Sequence, residues 1–90
     1  MSAQATQPTR ESVSENLLAF LERRIKSAVA PDVDLFEAGM VSSLFALELV
    51  VHVEKAFGVT IGGPDLRLDN FRTVEAMTAL VLRLSEAPGA

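Results

Sequence analysis

Two adjacent serines, Ser42 and Ser43, stand where a turn-rich loop gives way to the apolar-periodic run Leu44-Phe45-Ala46-Leu47-Glu48-Leu49-Val50. A hydroxyl at such a junction faces the unpaired backbone N–H groups of a helix start and the positive end of its dipole. That setting favours phosphate, so one chemistry open to the junction is to carry a phosphate-linked group. The competing reading is structural, because serine is a favoured N-cap and most serines before a helix only accept a backbone N–H. With two serines the roles can divide, Ser42 capping the helix and Ser43 standing exposed in its first turn.

Other residues with chemical capacity are sparse. His52 is the single histidine. It has no second metal ligand or nucleophile at helical spacing, so it reads as a surface or rim residue. Asp65 and Asp69 lie four apart and suit either a weak cation site or, more ordinarily, acids at a helix start. The chain contains no G-x-S-x-G elbow, phosphate loop or H-E-x-x-H pair, so neither a catalytic set nor a metal site is expected. There is no cysteine, hence no disulfide framework and no Cys-based metal centre. The chain also lacks a thiol of its own, so any thioester would have to hang on a prosthetic group.

The elements that would position these groups follow from periodicity and caps. Ser12 and Glu15 fit a capping box for a first helix, along which Val13, Leu17, Phe20, Leu21, Ile25 and Ala28 recur at helical spacing. Arg23, Arg24 and Lys26 fall in its last turns, where the dipole favours cations. Pro31 breaks this helix, and a long loop over about 29–41 follows, with Leu35 and Phe36 expected to plug into the core. The second helix runs from Ser43 to about Phe57 and ends at Gly58, which suits the left-handed C-terminal position. Ala46, Leu49, Val50, Val53 and Phe57 share its expected core face. Leu44, Phe45, Glu48, Val51, His52 and Lys55 share the other, and Leu47 lies at the border. Two placements are open for Phe45: an exposed patch with Leu44 and Val51, or a fold back onto Leu35 or Met40. Gly62-Gly63-Pro64 marks a turn, a short helical segment covers 65–69, and Thr73 caps a last helix with Val74, Met77, Leu80, Val81 and Leu84 as its stripe. The expectation is all-α: three main helices, one short one and a long first loop.

Ninety residues, 49% of them hydrophobic, suffice for one small domain. With five Phe and no Trp or Tyr, its core must be mostly Leu, Val and Ala. A net charge of −4 argues against nucleic acid and suits a partner with a basic contact face. No apolar run approaches the roughly 20 residues a membrane span needs, and no secretory signal pattern is present. A soluble, cytoplasmic protein is expected, with a disordered lead over 1–11, one domain over 12–85, a flexible tail over 86–90 and no internal repeat.

Taken in order, Leu35-Phe36, Gly39, Ser43-Leu44, Glu48-Leu49-Val50, Glu54 to Phe57-Gly58, Asp65-Leu66 and Asn70-Phe71-Arg72-Thr73-Val74 make residues 12–84 resemble acyl carrier proteins. The resemblance implies a four-helix carrier bundle, usually monomeric. It also implies 4′-phosphopantetheine, taken from coenzyme A, on Ser43, whose thiol would hold an acyl group as a thioester. The protein would then be no enzyme but a substrate, served by a phosphopantetheinyl transferase and an acyl-loading enzyme, with no nucleic-acid or membrane partner. By the same resemblance Ser42, Leu44, Phe45, Glu48, Val51 and Glu54 would face partners. Two positions depart from the family pattern: Ser42 stands where an Asp is usual, and Phe45 where many members are polar.

A narrower likeness comes from Val41 to Val50. This run is similar to discrete polyketide carriers for methoxymalonyl- or hydroxymalonyl-type extender units, which are charged with a glyceryl group. That likeness adds acyl-carrier dehydrogenases and an acyltransferase or polyketide synthase as partners. The Asn-Phe-Arg-Thr-Val stretch resembles D-alanyl-type carriers as well, so a peptidyl or aminoacyl carrier of nonribosomal assembly stays open. From another class, so does a helical interaction module with no prosthetic group.

Overall fold

The structure is a computed structural model that describes residues 8–86. Three α-helices account for most of them: α1 (Arg10–Ile25), α2 (Ser43–Phe57) and α3 (Val74–Glu86). Two single-turn 3-10 segments, Gly63–Asp65 and Leu68–Phe71, lie between α2 and α3. No strand occurs among the described residues. The architecture is the expected all-helical carrier bundle, with one change in its short element. The single segment expected over 65–69 is two 3-10 turns with a break at Leu66 and Arg67. Asn70 explains the break: its side-chain amide donates to the Asp65 carbonyl at 2.8 Å, holding open a corner that a continuous helix would close.

The start of α1 also differs from expectation. The N-cap is Thr9, three residues upstream of Ser12. Ser12 N–H donates to Thr9 Oγ1, and Thr9 N–H donates to Ser12 Oγ, each at 3.0 Å. This is a capping box in which a serine performs the return contact usually made by Glu or Gln, and Glu15 has no part in it. Residues 10 and 11 therefore belong to the helix and not to a lead, and Glu86 belongs to α3 and not to a tail. The rest of the expected lead and tail, 1–7 and 87–90, lies outside the described residues. The helix stops at Ile25, well before Pro31, so Ala28 is outside it and exposed.

The two long helices end alike. Lys26 closes α1 at φ 64°, and Gly58 closes α2 at φ 65°, both left-handed. Their N–H groups donate to the carbonyls of Glu22 and Glu54 four residues back. The carboxylates of the same two glutamates then accept the N–H of Val29 at 3.0 Å and of Ile61 at 2.9 Å. Val29 and Ile61 are buried. An acid near a helix C-terminus opposes the dipole, but here each one satisfies a backbone donor that enters the core with its residue.

The core joins Val13, Leu17 and Leu21 of α1 and Leu49 and Val53 of α2 with Val74, Met77, Leu80 and Val81 of α3. The long loop contributes Val29, Val41 and a fully buried Leu35, while Phe36 packs half-buried beside them. Burying one leucine side chain is worth about 1.5–3 kcal/mol, one contribution among several that hold a loop with no ladder of its own. The loop is also tied to the start of α3: Leu35 N–H donates to the Arg72 carbonyl at 2.7 Å, and Glu75 N–H to the Pro31 carbonyl at 3.0 Å. Asp34 Oδ1 accepts the N–H groups of Phe36 and Glu37, and Asp34 Oδ2 pairs with Arg72 at 3.2 Å. The Glu37 N–H contact, helped by the Arg72 charge, holds the Asp34 carboxyl below its ordinary pKa. Gly39, at φ 74°, turns the chain toward α2, and Met40 and Val41 donate back to the Leu35 carbonyl. Residues 40–42 are thereby presented at a defined place.

Candidate functional site

The paired serines divide their work. Ser42 has extended backbone (φ −96°, ψ 167°), and its Oγ accepts the Phe45 N–H at 3.1 Å while its carbonyl accepts Ala46 N–H at 3.0 Å. Ser43 is the first residue of α2 and is exposed. Among the described residues its Oγ has no hydrogen-bond partner. The N–H groups of Ser43 and Leu44 precede the first intrahelical acceptor and remain free to donate. No acid occupies the first turn of α2, so the positive end of the dipole is not cancelled from within the helix.

An open groove of about 680 Å³ borders this junction. The end of α1 supplies Arg24, Ile25 and Ser27, the loop supplies Gly39, Met40 and Ser42, and α2 supplies Leu44, Phe45 and Glu48. A free hydroxyl, two unspent backbone donors, an uncompensated dipole and an adjoining groove fit a phosphate-linked arm.

The remaining residues singled out in the sequence take distinct places. Leu44 is 74% exposed and Val51 50%. Leu47, read as a border residue, is 63% exposed and continues the same stripe. Phe45 takes neither of its two expected placements in full. It is half-buried across α1, stacked on Phe20 with ring centroids 6.0 Å apart, and it lines the groove with Met40. The Arg24 guanidinium lies 4.8 Å above the Phe45 ring and pairs with Glu48. Both partners of that pair are about half exposed, so it is worth well under about 1 kcal/mol and opens readily. Glu54 lies on α2, and one of its carboxylate oxygens is committed to Ile61 N–H.

His52 is half-buried, with its ring 3.9 Å from Phe20, and its Nε2 lies 2.7 Å from Asn16 Oδ1. Because that oxygen can only accept, Nε2 carries the proton. Burial, reinforced by repulsion from Arg23, lowers the His52 pKa. Asp65 and Asp69 do not come together: Asp65 binds Arg83 at 2.9 Å and Asp69 binds Arg72 at 2.8 Å. No group of three His, Cys, Asp or Glu among the described residues can hold a metal ion. None of the helices among the described residues is long and apolar enough to cross a membrane.

Phe20, Arg24 and Asn16 are the neighbours of the site that sequence reasoning did not identify. Phe20 and Arg24 are spaced i, i+4 on α1, which puts them on one helix face. The sequence carries no mark that this face meets α2.

Residues 13–81 match the family described as "phosphopantetheine attachment site". Among curated proteins, the D-alanyl carrier protein of Streptococcus pyogenes serotype M5 (strain Manfredo) is 30% identical over 78 residues, covering 84% of this chain and 99% of that protein. The D-alanyl carrier protein of Streptococcus suis (strain 05ZYH33) is 29% identical over 77 residues, covering 83% and 98%. These relatives are D-alanyl carriers and not specifically polyketide carriers.

Proposed function

The chain belongs to the phosphopantetheine-attachment family of carrier proteins, bears 4′-phosphopantetheine covalently and serves its partner enzymes as a substrate; on that premise we propose that Ser43 is the attachment residue. One observation carries the choice between the serines: Ser42 Oγ is spent on the Phe45 N–H, whereas Ser43 Oγ is exposed and free. In the transfer from coenzyme A, a bond forms between Ser43 Oγ and phosphorus, the pyrophosphate linkage breaks, and adenosine 3′,5′-bisphosphate leaves. The first turn of α2 holds no carboxylate that could take the Ser43 proton. The group supplies the terminal thiol that this cysteine-free chain lacks. Membership in the family displaces the alternative of an interaction module with no prosthetic group.

The load is a small acyl unit of the malonyl or glyceryl type, handled in polyketide assembly in the cytoplasm. The likeness of Val41 to Val50 to extender-unit carriers supports this reading, as does Arg24, a cation suited to an acidic or hydroxylated acyl group, on the adjoining groove. An aminoacyl load is the second reading, supported by the similarity to D-alanyl carrier proteins and by Glu48, which could receive an ammonium. Intact-protein mass after incubation with coenzyme A and a broad-specificity transferase tests attachment: one phosphopantetheine is added to the wild type and to Ser42→Ala, and none to Ser43→Ala. Offering the modified protein to a glyceryl- or malonyl-loading enzyme and to an amino-acid-activating enzyme then separates the loads. Acylation by the amino-acid enzyme alone overturns the polyketide reading.

A further inference from the structure

Beside the groove at Ser43 lies a second, more apolar one of about 460 Å³, lined by Phe20 and Arg24 of α1 and by Leu47, Glu48, Val51 and His52 of α2. Arg24 and Glu48 line both grooves, so their ion pair stands at the boundary between them. From these contacts we infer that the two grooves form one track between α1 and α2, in which the pantetheine arm and its acyl end rest, with the Arg24–Glu48 pair as a movable bar across it. The inference rests on Ser43 as the attachment residue and adds where the arm goes.

Three observations favour the arm over a partner protein or a second copy of the chain. The first is origin: Ser43 does not itself line the near groove, but both its neighbours, Ser42 and Leu44, do, together with Gly39 and Met40. The second is reach. Val51 lies eight residues along α2 from Ser43, roughly 12 Å at the helical rise. The arm has about fourteen bonds from Ser43 Oγ to its sulfur, roughly 16 Å at the extent of an extended chain. Its sulfur and the first atoms of an acyl group therefore arrive at Phe20, Leu47 and Val51. The third is chemistry along the way. The near part of the track offers Ser27, Arg24 and Glu48, groups able to bond the amides and hydroxyl of the arm. The far part is walled by Phe20, Val51 and the half-exposed edge of Leu47, which suits the carbon chain near the thiol.

The bar is weak enough to move. Arg24 is already balanced between Glu48 and the Phe45 and Phe20 rings, 4.8 and 5.8 Å from their centroids. Turning it toward the arm exchanges one half-exposed contact for another. Leu47 and Val51, half or more exposed without the arm, gain cover when it lies across them.

The test compares amide and aromatic resonances of the unmodified and phosphopantetheinylated protein, with mass confirming the modification, and measures the rate at which a small alkylating reagent consumes the thiol. The expected result is a set of shifts running from Ser43 through Arg24 and Glu48 to Phe20, Leu47 and Val51. Thiol alkylation is expected to be about fivefold slower than in free pantetheine, which corresponds to about 1 kcal/mol of preference for the track. Leu47→Asp, a change at an exposed position that spares the fold, is expected to leave the mass gain intact, shrink the Phe20 shifts and restore fast alkylation. A full mass gain with shifts confined to 41–45 and alkylation as fast as in free pantetheine would overturn the track alone. Absence of the mass gain would overturn the attachment at Ser43 and the track together, and the mass spectrum tells the two failures apart.

Discussion

Ser42→Ala removes the oxygen that accepts the Phe45 N–H at 3.1 Å and leaves that donor at the mouth of α2 without its protein partner. Loss of a serine N-cap costs about 1 kcal/mol. In a domain of this size that lowers the melting temperature by about 4–8 °C. Ser43→Ala behaves otherwise. The side chain is exposed and unbonded, and alanine is the better helix former, so stability should stay within about 0.5 kcal/mol of wild type or rise slightly. Ser42→Asp keeps an accepting oxygen and adds a negative charge at a helix start with no acid of its own, a gain of about 0.3–1 kcal/mol. Thermal unfolding of the three unmodified proteins, followed by helical circular dichroism, reads the stability side; intact mass after transferase treatment reads the chemistry. The expected pattern is a double dissociation: Ser42→Ala is less stable and modified, and Ser43→Ala is stable and unmodified. A Ser42→Ala protein that melts with wild type while Ser43→Ala falls by several degrees would refute the division of labour between the serines. So would loss of modification in Ser42→Ala with retention in Ser43→Ala.

Lys26→Gly should stabilise the protein by about 0.5–1 kcal/mol, read as a higher urea midpoint, because it relieves a left-handed residue at φ 64° by more than glycine adds to unfolded-chain entropy. Thr78→Val should also stabilise, by about 1 kcal/mol in the same assay, since Thr78 is buried and its Oγ1 has no partner among the described residues. His52 sets a pH dependence. Its pKa is lowered in the fold, mainly by burial, so the unfolded chain takes up a proton near pH 6.5 while the folded one does not. Stability is complete above pH 6.5 and falls as the pH drops toward the lowered pKa. Melting curves from pH 7.5 to 5 should show that loss in wild type and a smaller one in His52→Gln.

The signals legible in the chain were local ones. A cap and the donor it satisfies lie within three or four residues, so Ser42, Gly58 and Thr73 bounded α2 and the start of α3 directly, and the buried stripe of α3 followed from its period. Leu35 is a large apolar residue between Asp34 and Phe36-Glu37 in the loop, and the structure buries it completely. The start of α1 is local too, but the return contact to its N-cap runs between Ser12 and Thr9 and not between Glu15 and Ser12. The spacing shared by Glu22, Lys26 and Val29 and by Glu54, Gly58 and Ile61 was equally present in the sequence, although it takes the folded chain to reveal its use.

What only the tertiary structure decided is which neighbour covers each helix face. Periodicity places Phe45, Glu48 and His52 on one side of α2, but it contains no information on where α1 crosses. That crossing stacks Phe20 on Phe45 and His52, brings Arg24 to Glu48 and leaves Leu44, Leu47 and Val51 exposed. The same holds for Asp34 and Asp65, which look alike as loop acids until Arg72 and Arg83 reach them from 38 and 18 residues along the chain, whereas Asp69 meets Arg72 only three residues on. Helix ends are short-range hydrogen-bonding problems that a linear sequence can state. A groove is a relation between two helices joined by a long loop, and it exists only once the core has set their packing.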